Sequence, residues 1–181
     1  MNNTSTAKLL WVDLEMTGLD PAIDVITEVA AIATDWDFNE IATYESGVSH
    51  DEGVVSGLMA QSDFWQAAGS EAQQAMLAQS SSGKTDDQIQ QALLKMISEH
   101  FGDEPVILAG NSIHQDRRFI RKHWPELDAR LHYRMLDVSA WKVVMMGKYD
   151  VEFEKQSVHR AMDDIRESIA ELTQYLTMIR P

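Results

Sequence analysis

Asp13 and Glu15 are two carboxylates one residue apart at the end of an apolar run, Lys8 to Glu15. Alternate strand side chains share a face, so both acids point with Trp11, away from Leu10, Val12 and Leu14. An ionised carboxylate taken out of water loses on the order of several kcal/mol unless it is paired or holds a metal. A D-x-E pair at a wet strand end needs no partner, whereas a pair built into a metal site needs further ligands elsewhere in the chain. Asp116, Asp164 and His159 are the candidates. Asp116 follows the short apolar run Val106 to Ala109 and the turn Gly110, Asn111, Ser112, just inside the next helix. There it is either a further ligand or a first-turn acid favoured by the helix dipole. Asp164 and His159 open the last helix, five residues apart. Within one helix that spacing turns two side chains about 140° from each other, so they share a site only if His159 lies in the preceding loop.

The remaining histidines, His50, His100, His114, His123 and His132, lack such an acidic neighbourhood and are expected to be ordinary surface or half-buried residues. Glu28, a single acid inside the apolar run Val25 to Thr34, is expected to be a solvated strand residue. The chain has no cysteine, which excludes disulfides, thiolate zinc sites and a cysteine nucleophile. Any metal must then be held by oxygen or imidazole. The balance of 29 acidic against 15 basic side chains gives a formal net charge of −14, poorly suited to gripping a long polyanion. A small anionic substrate held through cations remains compatible with that charge.

The elements that must position these groups follow from periodicity. After the turn through Thr17, Gly18, Asp20 and Pro21 come two more strands, Val25 to Thr34 and Ile41 to Val48, joined by short polar links as an antiparallel meander. His50 to Ser82 is helical in pattern but interrupted by Gly53, Gly57 and Gly69, which predicts short helices and a mobile loop. Trp65 in that stretch is either a core anchor or a stacking surface at the rim of the site. Thr85 and Gln88 have the spacing of a capping box, and Ile89, Leu93, Met96 and Ile97 continue the helix. Val106 to Ala109 reads as a buried strand, Tyr133 to Asp137 as another, and Val138 to Met146 as a helix. Gly147 to Ser157 is expected to be a loop. Ile165, Ile169, Leu172, Leu176 and Ile179 form one apolar stripe on the final helix. Arg117, Arg118, Arg121 and Lys122 make the main basic cluster, a solvated face that adjoins the presumed site. The expected fold class is α/β: a mixed five-stranded sheet, three strands of meander plus two more, flanked by helices. Its length suits one domain over 1–181, with 1–7 a flexible N-terminus. No apolar run reaches the roughly 20 residues of a membrane span, and MNNTSTAK lacks signal-peptide character, which suggests a cytoplasmic protein.

DLEMTGLD at 13–20, GNSIHQDRRF at 110–119, HYRMLDVS at 132–139 and HRAMDDIRESIAEL at 159–172 resemble the oligoribonucleases, within the histidine subtype of the DEDD exonuclease superfamily. The similarity runs in register from about residue 8 to residue 178. It implies a ribonuclease H-like fold and hydrolysis of very short RNAs, down to dinucleotides, from the 3′ end to 5′-mononucleotides. By the same resemblance Asp13, Glu15, Asp116 and Asp164 bind two divalent ions, Mg²⁺ or Mn²⁺, and His159 is the general base. Leu19, Trp65, Asn111, Ser112, Tyr133, Arg134 and Ser139 would contact substrate, with Tyr133 offered across a homodimer. The family's histidine after the tryptophan has no counterpart in QAAGSEAQQ, and its tryptophan and proline are absent from 147–157. The competing readings are a proofreading-type DNA exonuclease and a non-catalytic nucleic-acid-binding module.

Overall fold

The computed structural model describes residues 7–153 and 160–179. Its sheet has the order β3-β2-β1-β4-β5, formed by β1 (Leu9–Met16), β2 (Ile26–Thr34), β3 (Glu40–Gly47), β4 (Val106–Gly110) and β5 (Leu131–Asp137). The first three strands pair antiparallel, as the short links between them require, and β4 and β5 join parallel to β1. The helices are α1 (Glu52–Met59), α2 (Asp63–Ser81), α3 (Asp86–His100), α4 (His114–His123), α5 (Pro125–Asp128), α6 (Val138–Tyr149) and α7 (Ala161–Ile179).

The alternation in β1 sorts its side chains between two cores. Leu10, Val12 and Leu14 pack with Ile89, Leu93 and Ile97 of α3 and Phe119 of α4. Leu9 and Trp11 pack on the opposite face with Ala30 and Ile32 of β2 and Ile165 and Leu172 of α7. Strand β2 is therefore buried along its whole length, which is why it carries an almost unbroken apolar run. The capping box at Thr85 and Gln88 forms in both directions at the start of α3.

The stretch 52–81 carries short helices, as expected, α1 and an α2 kinked at Gly69, and Val55, Met59, Trp65 and Met76 close into a small core of their own. At Gly53 and Gly57 packing outweighs the roughly 1 kcal/mol that a glycine subtracts from a helix. Gly69 interrupts α2 at φ +86°, a conformation natural to glycine. Two other elements differ from expectation. Helix α6 continues past Met146 to Tyr149 and ends on Asp150 in the left-handed region. On α7, Ile165 and Leu172 are buried and Ile169 and Leu176 partly so, while Ile179 is exposed. Ala7, counted from sequence with the free N-terminus, is buried and donates its N–H to the His100 carbonyl at 3.2 Å. No helix among the described residues is long and apolar enough to cross a membrane.

Candidate active site

Strand β1 delivers Asp13 and Glu15 on the face that α7 covers, and Asp164 arrives from the first turn of α7. One carboxylate oxygen from each of these three acids lies within 4.8 Å of the others. Asp116, from the first turn of α4, is buried beside them and accepts the Leu14 N–H through Oδ1 at 3.1 Å. Burial pushes the Asp116 carboxyl up to about 7; its bond from Leu14 opposes the shift, and Glu15 and Asp137 add to it. Glu15 also rises to about 7, through burial first, then Asp164 and Glu28, with Arg160 opposing. The first-turn position of Asp116 is real, yet its burial among other acids is what a dipole-favoured surface acid lacks.

Mutually repelling, desolvated carboxylates with oxygen donors only fit a hard divalent cation, which Asp13, Glu15, Asp116 and Asp164 could hold. The same shifts set a pH dependence. Because the folded Glu15 and Asp116 hold protons more tightly than the unfolded chain, the stability they contribute is present below about pH 4 and lost as pH rises through about 7. A bound cation would compete with those protons and reverse the loss. At one fixed concentration, 100 times its Kd at pH 8, Mn²⁺ is expected to raise Tm by about 5 to 10 °C at pH 8, and by much less near pH 5, where protons compete with it. Thermal melts at the two pH values check this; an equal shift at both would contradict it.

The turn after β1 is held rigidly. Thr17 Oγ1 donates to Asp24 Oδ1 at 3.0 Å, and Asp24 Oδ2 accepts the Asp20 N–H at 2.9 Å. A Cβ at Gly18 would stand 2.5 Å from the Asp24 carboxylate and would push it off its bonds to Thr17 and Asp20. The Leu19 carbonyl accepts from Gln115 Nε2 at 2.6 Å, which leaves the Leu19 side chain exposed. Trp65 is buried and donates Nε1–H to the Met16 carbonyl at 3.2 Å. It is a core residue, and its ring also lines a cavity of about 360 Å³ shared with Glu15, Met16 and Leu19.

Asn111, Ser112 and Ser139 meet at the ends of β4 and β5. Ser139 Oγ donates to Asn111 Oδ1 at 3.1 Å and accepts the Ser112 N–H at 2.9 Å. Asn111 Nδ2 donates to Ser168 Oγ at 2.8 Å, and Ser168 in turn donates to the Asp164 carbonyl at 2.8 Å. This chain of bonds ties the strand ends to the helix that carries Asp164. Tyr133 stands apart on the edge strand β5, 70% exposed, with the Arg134 guanidinium 4.8 Å above its ring. His159 lies outside the described residues.

Two readings need correction. Glu28 is not solvated: it is 1% exposed, because β2 is covered on both faces, and burial raises its pKa against a Gln79 hydrogen bond and Arg160. Sequence reasoning missed Arg160, whose only signal was its place beside His159. His114 does have an acidic neighbour, Asp137, at 3.6 Å. In the basic cluster Arg118, Arg121 and Lys122 are exposed, as a solvated face requires, while the half-buried Arg117 shares Asp128 with Arg121, each at 3.1 Å.

The RNase_T exonuclease family model matches residues 10–172, so the five-stranded mixed sheet with acids at the end of its central strand belongs to the exonuclease class. The fold is similar to that of Escherichia coli exonuclease I in complex with a 5cy-dA13 oligonucleotide, at TM-score 0.63 and 14% identity over 95% of this chain. Exonuclease I from Methylocaldum szegediense gives TM-score 0.64 and 16% identity over 96%. This chain spans 40% and 41% of those two longer chains, and the shared part is the ribonuclease H-like fold. Oligoribonuclease from Escherichia coli K12 is 40% identical over 170 residues, covering 92% of both chains. Oligoribonuclease from Francisella tularensis SCHU S4 is 40% identical over 173 residues, covering 94% of this chain and 95% of its own. The chain belongs to the oligoribonuclease family.

Proposed function

We propose that this 3′-to-5′ exoribonuclease hydrolyses very short single-stranded RNAs, down to dinucleotides, to 5′-mononucleotides in the cytoplasm. In this reading Asp13, Glu15, Asp116 and Asp164 hold two divalent ions, Mg²⁺ or Mn²⁺, and His159 is the general base. The observation that carries it is the convergence of oxygens from Asp13, Glu15 and Asp164 within 4.8 Å, beside the buried Asp116. When bound, the ions supply positive charge for the attacking and leaving oxygens of an in-line phosphodiester displacement and lower the pKa of water. His159 is the group of this set whose side-chain type suits taking a proton from the attacking water.

The other side chains hold the substrate. Leu19 is offered to a base by the rigid turn, and Trp65 forms the wall behind it. Arg134 and Ser139 contact the terminal phosphate of a short chain, which favours short substrates over long ones, and Asn111 and Ser112, bonded to Ser139, line the substrate beside it. Tyr133 serves the site of a second subunit, where stacking on one base contributes about 1 to 3 kcal/mol. The exposed edge strand that carries it, with exposed Val143, Val144 and Tyr149 on α6, supports a homodimer through this face.

A DNA exonuclease on the same fold is the competing reading, and four mutually repelling acids speak against a simple binding module. Turnover of an RNA dinucleotide, its DNA counterpart and an RNA 20-mer separates these. The dinucleotide RNA is expected to have the highest kcat/KM; a preference for DNA or for the 20-mer would contradict the proposal.

A further inference from the structure

Arg160 links the acid site to the outer half of the sheet. Its Nη2 lies 3.6 Å from Glu28 Oε1 and 3.4 Å from Glu45 Oε1. Glu28 stands directly opposite Glu15 in the β1–β2 ladder, and Glu45 stands opposite Ala30 in the β2–β3 ladder. Residues 28 and 30 share a face, so Glu15, Glu28 and Glu45 form a row of acids across three strands. Arg160 reaches over that row from the start of α7. Glu28 is 1% exposed and its Oε1 accepts no hydrogen bond, whereas the Arg160 side chain is 56% exposed. An exposed ion pair contributes little, but removing the partner of a buried carboxylate leaves its charge uncompensated.

The backbone of Arg160 is engaged as well. Its carbonyl accepts the Asp164 N–H at 2.9 Å, at the start of α7. One residue therefore holds Asp164 through the main chain and grips β2 and β3 through its side chain.

We propose that Arg160 is a positioning residue: by bridging Glu28 and Glu45 it clamps the start of α7 to the sheet, and so sets Asp164 against Asp13 and Glu15. The clamp rests on the role proposed above for Asp164. In this role Arg160 acts through Asp164 and not on the substrate.

Arg160→Met, Arg160→Lys and the double variant Arg160→Met/Glu45→Gln in the full chain test this with two independent readouts. In metal-free protein, NMR amide exchange at Asp164 is expected to be roughly tenfold faster in Arg160→Met, with β1 amides unchanged. With saturating Mn²⁺ and an RNA dinucleotide, kcat is expected to fall about 10 to 100-fold, the loss typical of groups that orient ligands, with KM little changed. Arg160→Lys should recover part of kcat, and the double variant should be no worse than Arg160→Met. Unchanged exchange at Asp164 would overturn the clamp. A rise in KM at constant kcat would also overturn it, and would assign Arg160 to substrate binding. Should the unsubstituted chain fail to hydrolyse RNA, the functional reading falls, and the exchange measurement alone decides the clamp.

Discussion

Asp164→Asn is expected to lower kcat for RNA hydrolysis by roughly 10³-fold or more, because a bound metal supplies several kcal/mol of transition-state stabilisation. The substitution keeps the size and shape of the side chain at the first turn of α7, so the fold should survive. Stability should move the other way. Asp164 is one of the charges that push the Glu15 carboxyl up to about 7, and removing it relieves that repulsion in the metal-free chain. The variant should therefore melt no lower than the unsubstituted protein without metal, and should lose most of the Tm gain from Mn²⁺. Single-turnover kinetics and paired melts check both limbs. Activity within tenfold of the parent would show that the acids near Asp13 and Glu15 do not work through a metal.

Local pattern made the acids on β1 legible and hid what surrounds them. Strict alternation in LLWVDLE assigned Asp13 and Glu15 to one face, and the structure keeps that assignment, with Leu10, Val12 and Leu14 in the other core. Asp116 could be placed at a helix start but not buried there, because its burial depends on α4 packing against β1 a hundred residues earlier in the chain. Glu28 was hidden for a similar reason. A single acid in an apolar strand has no period of its own, and only the coverage of β2 by α7 and the reach of Arg160 give it a place. In 52–81 the glycines made short helices legible, but not the core that holds them, since Val55, Met59, Trp65 and Met76 make contacts that no local rule counts. Tyr133 shows the opposite limit. The structure leaves it exposed on the sheet edge, and the role proposed for it depends on a second chain that no local pattern describes.

His159→Ala is expected to lower kcat about 10² to 10⁴-fold, the contribution of a positioned general base. Metal binding should largely survive, because the four acids remain. A base must be unprotonated to act, so the rate of the unsubstituted enzyme should rise with pH and then level off. The variant should lose that rise. Mn²⁺ affinity by calorimetry and the pH profile of kcat together identify the role. If the variant loses its metal and regains full rate when metal is raised, His159 is a ligand instead of a base.

The most direct measurement follows a 5′-labelled RNA pentamer in Mn²⁺ and in excess chelator. With Mn²⁺ the label is expected to pass through successively shorter oligomers and to reach the mononucleotide last, as removal from the 3′ end requires. With chelator the pentamer should stay intact. The same ladder in chelator, or release of the labelled mononucleotide first, would contradict a metal-dependent 3′-to-5′ exonuclease built on Asp13, Glu15, Asp116 and Asp164.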